Sequence, residues 1–179
     1  MTTHSASQGE PAVSAKTICI TAVLAAFVFI MTYVPKIPIP LGYAHLGDAV
    51  IYLLFLFIGR RQAGLAASVG SAFADLIGGF PIWIIPTLII KWIMVEAVFW
   101  VIRPGASKTV FFSVRTVAAF ALSSIWMVIG YTASGAILYG SLAAGLTMVP
   151  GLIGEGLVNM AVALAAGAAL RKVPESRAV

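Results

Sequence analysis

Four ionisable residues, Asp75, Lys91, Glu96 and Glu155, fall inside long apolar runs of the chain. A charge in such a run is costly, so it either pairs with another group or faces a cavity that holds a ligand. Lys91 follows Pro86 by five residues, and Glu155 follows Pro150 by five. If both prolines mark helix starts at the same face, the two side chains lie at similar depth, ~8 Å below them. They can then face one cavity as ligand contacts, as a mutual ion pair, or as both. Asn159, one helical turn beyond Glu155, adds an amide donor and acceptor on the same face. Asp75 lies near the C-terminal end of its run, where the helix dipole disfavours a carboxylate, so it needs a donor or cation nearby. Glu96 is rotated about 140° from Lys91 around a helix, which takes it out of any narrow shared pocket and towards a partner-facing, more cytoplasmic position.

The stretch from Pro35 to Asp48 separates the first two apolar runs and carries prolines at 35, 38 and 40. Proline fixes φ and lacks an N–H, so this segment is expected to be extended rather than helical. Extended backbone at membrane depth must be covered by protein or line an aqueous cavity. Tyr43 and His45 are its expected ligand-facing side chains, with a simple solvated turn as the alternative. Asp48 opens the next run and is expected to cap its helix. Tyr33, Trp83, Tyr131 and Tyr139 also fall near the same boundary, as interfacial aromatics or as rings that stack on a planar ligand.

The elements that must hold these groups follow from composition. The chain has 179 residues, 61% hydrophobic and 9% charged, with a mean hydropathy of +1.05. That balance lies far outside soluble domains and identifies an integral membrane protein. Apolar runs over about 17–34, 46–58, 62–79, 82–102, 114–133 and 147–170 predict an all-α bundle of six transmembrane helices. Lys16, Arg60, Arg61, Arg103, Lys108, Arg115, Arg171, Lys172 and Arg177 then share one side, leaving Lys36 opposite and Lys91 within a span. By the positive-inside rule both termini are cytoplasmic, and irregular extracellular loops carry Pro35–Asp48, the Gly78–Pro81 turn and 134–150. The last is apolar for a solvated connection and could fold back as a lid. Residues 1–15 are expected to be a disordered cytoplasmic tail, 16–172 a single membrane domain, and 173–179 a second cytoplasmic tail.

Several classes are excluded on chemical grounds. The net charge of +5 comes from short clusters between apolar runs, without the aromatic-basic surface of a nucleic-acid binder. No Gly-x-x-x-x-Gly-Lys-Ser/Thr segment occurs, so the chain should not hydrolyse ATP. Its single cysteine, Cys19, and two histidines, His4 and His45, offer neither a disulfide framework nor metal-ligand spacing, and no Ser-His-acid set is recognisable. Neither an enzyme nor a cofactor-bearing protein is expected. Small residues spaced by four, Ala22/Ala26, Ala66/Gly70/Ala74 and Ala161/Ala165/Ala169, suit close helix packing in lipid.

Ile-Pro-Ile-Pro followed by Gly-Tyr-Ala-His-Leu-Gly-Asp (37–48), Gly-Ser-Ala-Phe-Ala-Asp-Leu-Ile-Gly-Gly (70–79) and Thr-Leu-Ile-Ile-Lys (87–91) carry a family resemblance. Together they resemble the substrate-binding S components of energy-coupling factor (ECF) vitamin transporters, in the group assigned to pyridoxine, hydroxymethylpyrimidine or riboflavin. The resemblance implies a multi-pass subunit of a bacterial cell membrane that captures a small planar vitamin from outside. It delivers the vitamin inward when docked on a transmembrane coupling subunit with two ATPase subunits. It also implies that Ala22 and Ala26 meet the coupling subunit, and that Lys91 is the family lysine. The expected substrate-binding set is Tyr43, His45, Asp75, Lys91, Glu155 and Asn159, with the proline-rich loop as a gate over a site floored by spans four and six. A self-sufficient proton-coupled transporter and a structural membrane subunit are the alternatives.

Overall fold

The computed structural model describes residues 14–102 and 113–171. The expected tails at 1–13 and 173–179, and the cations Arg103, Lys108, Lys172 and Arg177, lie outside the described residues. Helix α1 (Ala15–Tyr33) begins where the Ser14 hydroxyl accepts the Thr17 N–H, and it stops just before Pro35. The tail expected to run to residue 15 therefore gives way to helix at Ala15.

The expectation of an all-α chain is corrected by a two-stranded antiparallel hairpin, β1 (Ile37–Ile39) and β2 (Gly42–Ala44). Hydrogen-bonded and non-hydrogen-bonded pairs alternate in an antiparallel ribbon, so prolines two residues apart, at 38 and 40, can both avoid donor positions. The Pro40-Leu41 turn puts Leu41 at φ 62, a conformation usually left to glycine. Its carbonyl is held there by the Trp83 indole N–H at 3.1 Å.

After the hairpin come α2 (Gly47–Leu53) with a 3-10 turn (Leu54–Leu56), α3 (Arg60–Gly78), a 3-10 turn (Pro81–Trp83) running into α4 (Ile84–Ile102), α5 (Val114–Leu138), the short α6 (Leu142–Thr147) and α7 (Val149–Arg171). Gly79 ends α3 at φ 86, the left-handed cap that glycine takes without strain. Packing closes a ring in the order α1, α3, α4, α5, α7, α2 and back to α1. The segment at 134–150 does fold back: Gly145 of α6 sits against the Thr132 and Ala136 backbone of α5.

Large apolar side chains such as Val23, Phe27, Leu65, Phe73, Ile85, Ile125 and Leu157 face outward, while Thr32, Asp48, Ser71, Thr87, Lys91, Ser123 and Asn159 are buried. A fold with its apolar surface outside and polar groups within is arranged for lipid. Among the described residues four helical segments are long and apolar enough to cross a membrane by themselves: Ala15–Tyr33, Pro81–Ile102, Val114–Leu138 and Leu142–Leu170. Four of the six expected spans are thus met by length and composition alone, and the other two fall on α3 and on Gly47–Leu56. Helix α3 falls short in apolarity because it carries Arg60, Arg61, Gln62 and Asp75 together with the small polar or neutral residues Gly64, Ser68, Gly70 and Ser71. The segment Gly47–Leu56 falls short in length, at roughly 15 Å.

The small residues on α3 do the packing expected of them. Ala66 and Ala74 are fully buried, and a Cβ on Gly70 would run into the Ala25 carbonyl and the Val28 side chain of α1. On α7 the stripe at Ala161, Ala165 and Ala169 is exposed instead, and Ala163 turns inward. Ala22 and Ala26 are also exposed, lining a shallow apolar groove with Val69, Gly70 and Phe73.

Candidate ligand pocket

Beneath the hairpin, at the end of the bundle away from Lys16, Arg60, Arg61 and Arg115, lies a pocket lined by Ile39, Gly42, Tyr43, His45, Asp75, Phe80, Trp83, Tyr131, Met148, Leu152 and Glu155. Its cavity volume is about 40 Å³, well below the ~300–1,000 Å³ usual for small-molecule sites, so side chains must shift to admit a vitamin-sized ligand. The hairpin supplies the roof, α3 and the Phe80–Trp83 turn before α4 one wall, and α5, Met148 and α7 the other.

Asp75 finds the donors its position on α3 demands. The Tyr43 hydroxyl donates to Oδ1 at 2.8 Å and the Thr87 hydroxyl to Oδ2 at 2.5 Å. Thr87 is also 3.1 Å from the Tyr131 hydroxyl, so one chain of contacts joins the hairpin, α3, α4 and α5. Burial, then the charge and hydrogen bond of Asp75, push the Tyr43 phenol well above its ordinary range, which keeps it a donor.

Lys91 and Glu155 do not pair with each other. The Lys91 ammonium is fully buried and donates to Asp48 Oδ1 at 2.5 Å. The expectation that Asp48 caps α2 is corrected: the cap position is Leu46, and Asp48 in the first turn reaches sideways to α4. A buried ammonium requires a counter-ion, and that requirement outweighs a cap on a short helix. Lys91 also lies 5.2 Å from the Tyr131 ring, behind the pocket wall rather than on it.

Glu155 Oε1 stands 3.2 Å from His45 Nδ1, a contact that needs one proton between the two atoms. The same nitrogen accepts the Gly47 N–H at 3.2 Å. Burial, then the nearby Lys91 charge, push His45 down to about 3 against the opposing pull of Asp48. The His45 ring is therefore neutral at physiological pH. A ligand atom from each of His45, Asp48 and Glu155 lies within 4.8 Å of the others, a spacing a metal ion could use. Lys91 already occupies the cation position at Asp48, so these donors do not fit a resident metal.

Asn159 is fully buried with its amide occupied. It donates to the His45 carbonyl at 2.7 Å and the Glu155 carbonyl at 2.8 Å, and accepts the Ala49 N–H at 2.7 Å. It holds the end of the hairpin and the start of α2 against α7, and does not line the pocket. Glu96, expected to face a partner, pairs with Arg60 of the same chain at the surface. Of the expected substrate-binding residues the pocket thus gathers Tyr43, His45, Asp75 and Glu155, with Lys91 and Asn159 behind them. Thr87 was missed; its signal was the spacing of four residues to Lys91, which places both on one face of α4.

The family model for the ECF-type riboflavin transporter S component matches residues 12–172. The chain belongs to that family. This S component is accordingly a membrane transport subunit for a vitamin, not an enzyme. It is similar, at 37% identity over 115 residues, to a protein of Pyrococcus woesei described only as an uncharacterized protein in gap 3′ region; the match covers 63% of this chain and 74% of that one. Its fold matches a solved structure described as the S component of a bacterial ECF transporter, with a TM-score of 0.69 at 17% identity, over 87% of this chain and 95% of the other.

Proposed function

We propose that the chain is the capture subunit of an ECF-type importer, taking a small planar water-soluble vitamin or precursor from outside into the pocket beneath the hairpin. Pyridoxine or hydroxymethylpyrimidine is the first choice of substrate. The pocket carries this reading: rings of Tyr43, Phe80, Trp83 and Tyr131 surround it, and the carboxyl groups of Asp75 and Glu155 are set to receive ring N–H or O–H donors. Its small volume favours a single-ring ligand. Riboflavin is the second reading, favoured by the description of the matching family.

Six crossings with both termini in the cytoplasm suit this role, with α2 and its 3-10 turn as a short span completed by the hairpin. The basic residues Lys16, Arg60, Arg61 and Arg115 all stand at the ends of helices opposite the hairpin, which supports that orientation. Delivery inward would require docking on a transmembrane coupling subunit driven by two ATPase subunits, through the exposed Ala22/Ala26 face of α1. The test is gentle purification, mass spectrometry of whatever small molecule remains bound, and titration with pyridoxine, hydroxymethylpyrimidine and riboflavin. A folded protein that binds none of the three refutes the substrate assignment.

A further inference from the structure

The pocket is unbalanced in charge. Asp75 and Glu155 line it, and no lysine or arginine does. Behind the wall the buried Lys91 is matched one-to-one by Asp48, so it offers no surplus positive charge to the cavity. Among the described residues the buried ionisable groups are three carboxyl groups, one ammonium and a histidine, and the Glu155–His45 contact already holds one proton. The histidine is neutral, as derived above. Lys36 holds its ammonium over the Tyr33 and Tyr43 rings, 4.3 and 4.4 Å from their centroids, outside the lining. Asp48 Oδ2, buried next to this cluster, has no hydrogen-bond partner. The site as built is short of protons or cations, not of acceptors.

Aromatic walls strengthen the same preference, because ring faces attract cations. The Trp83 and Tyr131 rings, with centroids 5.8 Å apart and planes tilted by 54°, form a corner beside Asp75. Asp75 already accepts two hydroxyl donors, yet a carboxylate offers about four lone-pair sites and can receive a further one. An anionic group in this cavity would meet two carboxyl groups with no lysine or arginine on the cavity wall.

We propose that the pocket selects a ligand carrying a positive charge on or beside a planar heteroaromatic ring and rejects anionic, phosphorylated forms, with Asp75 and Glu155 recognising the charge. This rests on the vitamin-capture reading and narrows it. A permanently cationic or readily protonated ring, such as a pyridinium or an aminopyrimidinium, satisfies the pocket. A neutral flavin does not exploit it, and a phosphate ester opposes it.

The test is calorimetric titration of the full chain in detergent with a panel differing in charge. The cations are thiamine and N-methylated pyridoxine with its 3-hydroxyl capped as a methyl ether; the neutral members are riboflavin and the pyridoxine analogue with CH in place of the ring nitrogen; the anions are the 5′-phosphate of pyridoxine and flavin mononucleotide. A cation should bind tightest, about 10-fold or more above its neutral analogue, as expected for a charge-assisted contact with a carboxylate. The phosphorylated members should be roughly 100-fold weaker than the best cation. Asp75→Asn and Glu155→Gln should each shrink the cation-to-neutral ratio towards one, and the wild-type ratio decides the question even if a variant fails to fold. A neutral or anionic member binding as tightly as the best cation overturns the charge preference while leaving vitamin capture standing. Binding of no panel member to the folded protein overturns the vitamin reading and this inference with it.

Discussion

Removing either partner of the Lys91–Asp48 pair separates a structural role from a ligand role. At 2.5 Å the attraction is about 7 kcal/mol for an effective dielectric of about 20. Desolvating two ions costs several kcal/mol each, so the intact pair adds little net stability. Both side chains are 0% exposed, so a lone survivor cannot reach water. Lys91→Met should therefore destabilise the fold by about 3–5 kcal/mol, and Asp48→Asn by a similar amount. The double variant removes both charges and should recover more than half of either loss. Unfolding in mixed detergent micelles, followed by circular dichroism, measures all three. Neither residue lines the pocket, so the double variant should also bind ligand within a few-fold of wild type. A Lys91→Met cost below about 1 kcal/mol, or a double variant as unstable as the sum of the singles, would show that the two charges are not each other's main partner.

Asn159→Leu strips three hydrogen bonds from buried backbone groups and should cost about 2–4 kcal/mol in the same unfolding assay; a loss under about 1 kcal/mol would remove its role as the tie between hairpin and α7. Acidification should destabilise the protein through His45, whose unfolded ring takes a proton below about 6.5 while the folded ring resists until about 3. Stability is full above the upper value and falls as pH drops between the two, by up to about 2 kcal/mol from pH 6.5 to 5. His45→Gln should flatten that decline, and an unchanged pH slope would refute the assignment. Ala22→Leu and Ala26→Leu fill an exposed small-residue face, so they should weaken co-purification with the coupling subunit while ligand binding is kept; unaltered assembly would move the docking face elsewhere.

The non-helical nature of the stretch from Pro35 to Leu46 was legible because proline acts locally on φ and on donors, although Gly47 and Asp48, read with it, already belong to α2. The pairing of that stretch into a hairpin was not legible, since pairing depends on the Trp83 clamp and on the helices beneath. The need of Asp75 for donors followed from its place near a helix end, but Tyr43 and Thr87 are 32 and 12 residues away in sequence. The small-residue stripes show the same division. Spacing by four marks a face that permits close approach on α3 and α7 alike. Only the packed structure shows that Ala66, Gly70 and Ala74 are buried, with Gly70 against α1, while Ala161, Ala165 and Ala169 are exposed.

From sequence alone came the membrane class, the positions of the apolar runs and three of the ionisable residues buried among them, Asp75, Lys91 and Glu155. These depend on composition and on neighbours within a few turns. Which carboxylate serves Lys91 was decided by tertiary structure, because Asp48, Asp75 and Glu155 come from three different helices and only packing sets their distances. That choice commits Lys91 to the scaffold and leaves Asp75 and Glu155 facing the cavity, so the sign of charge the pocket presents to a ligand is a property of the fold.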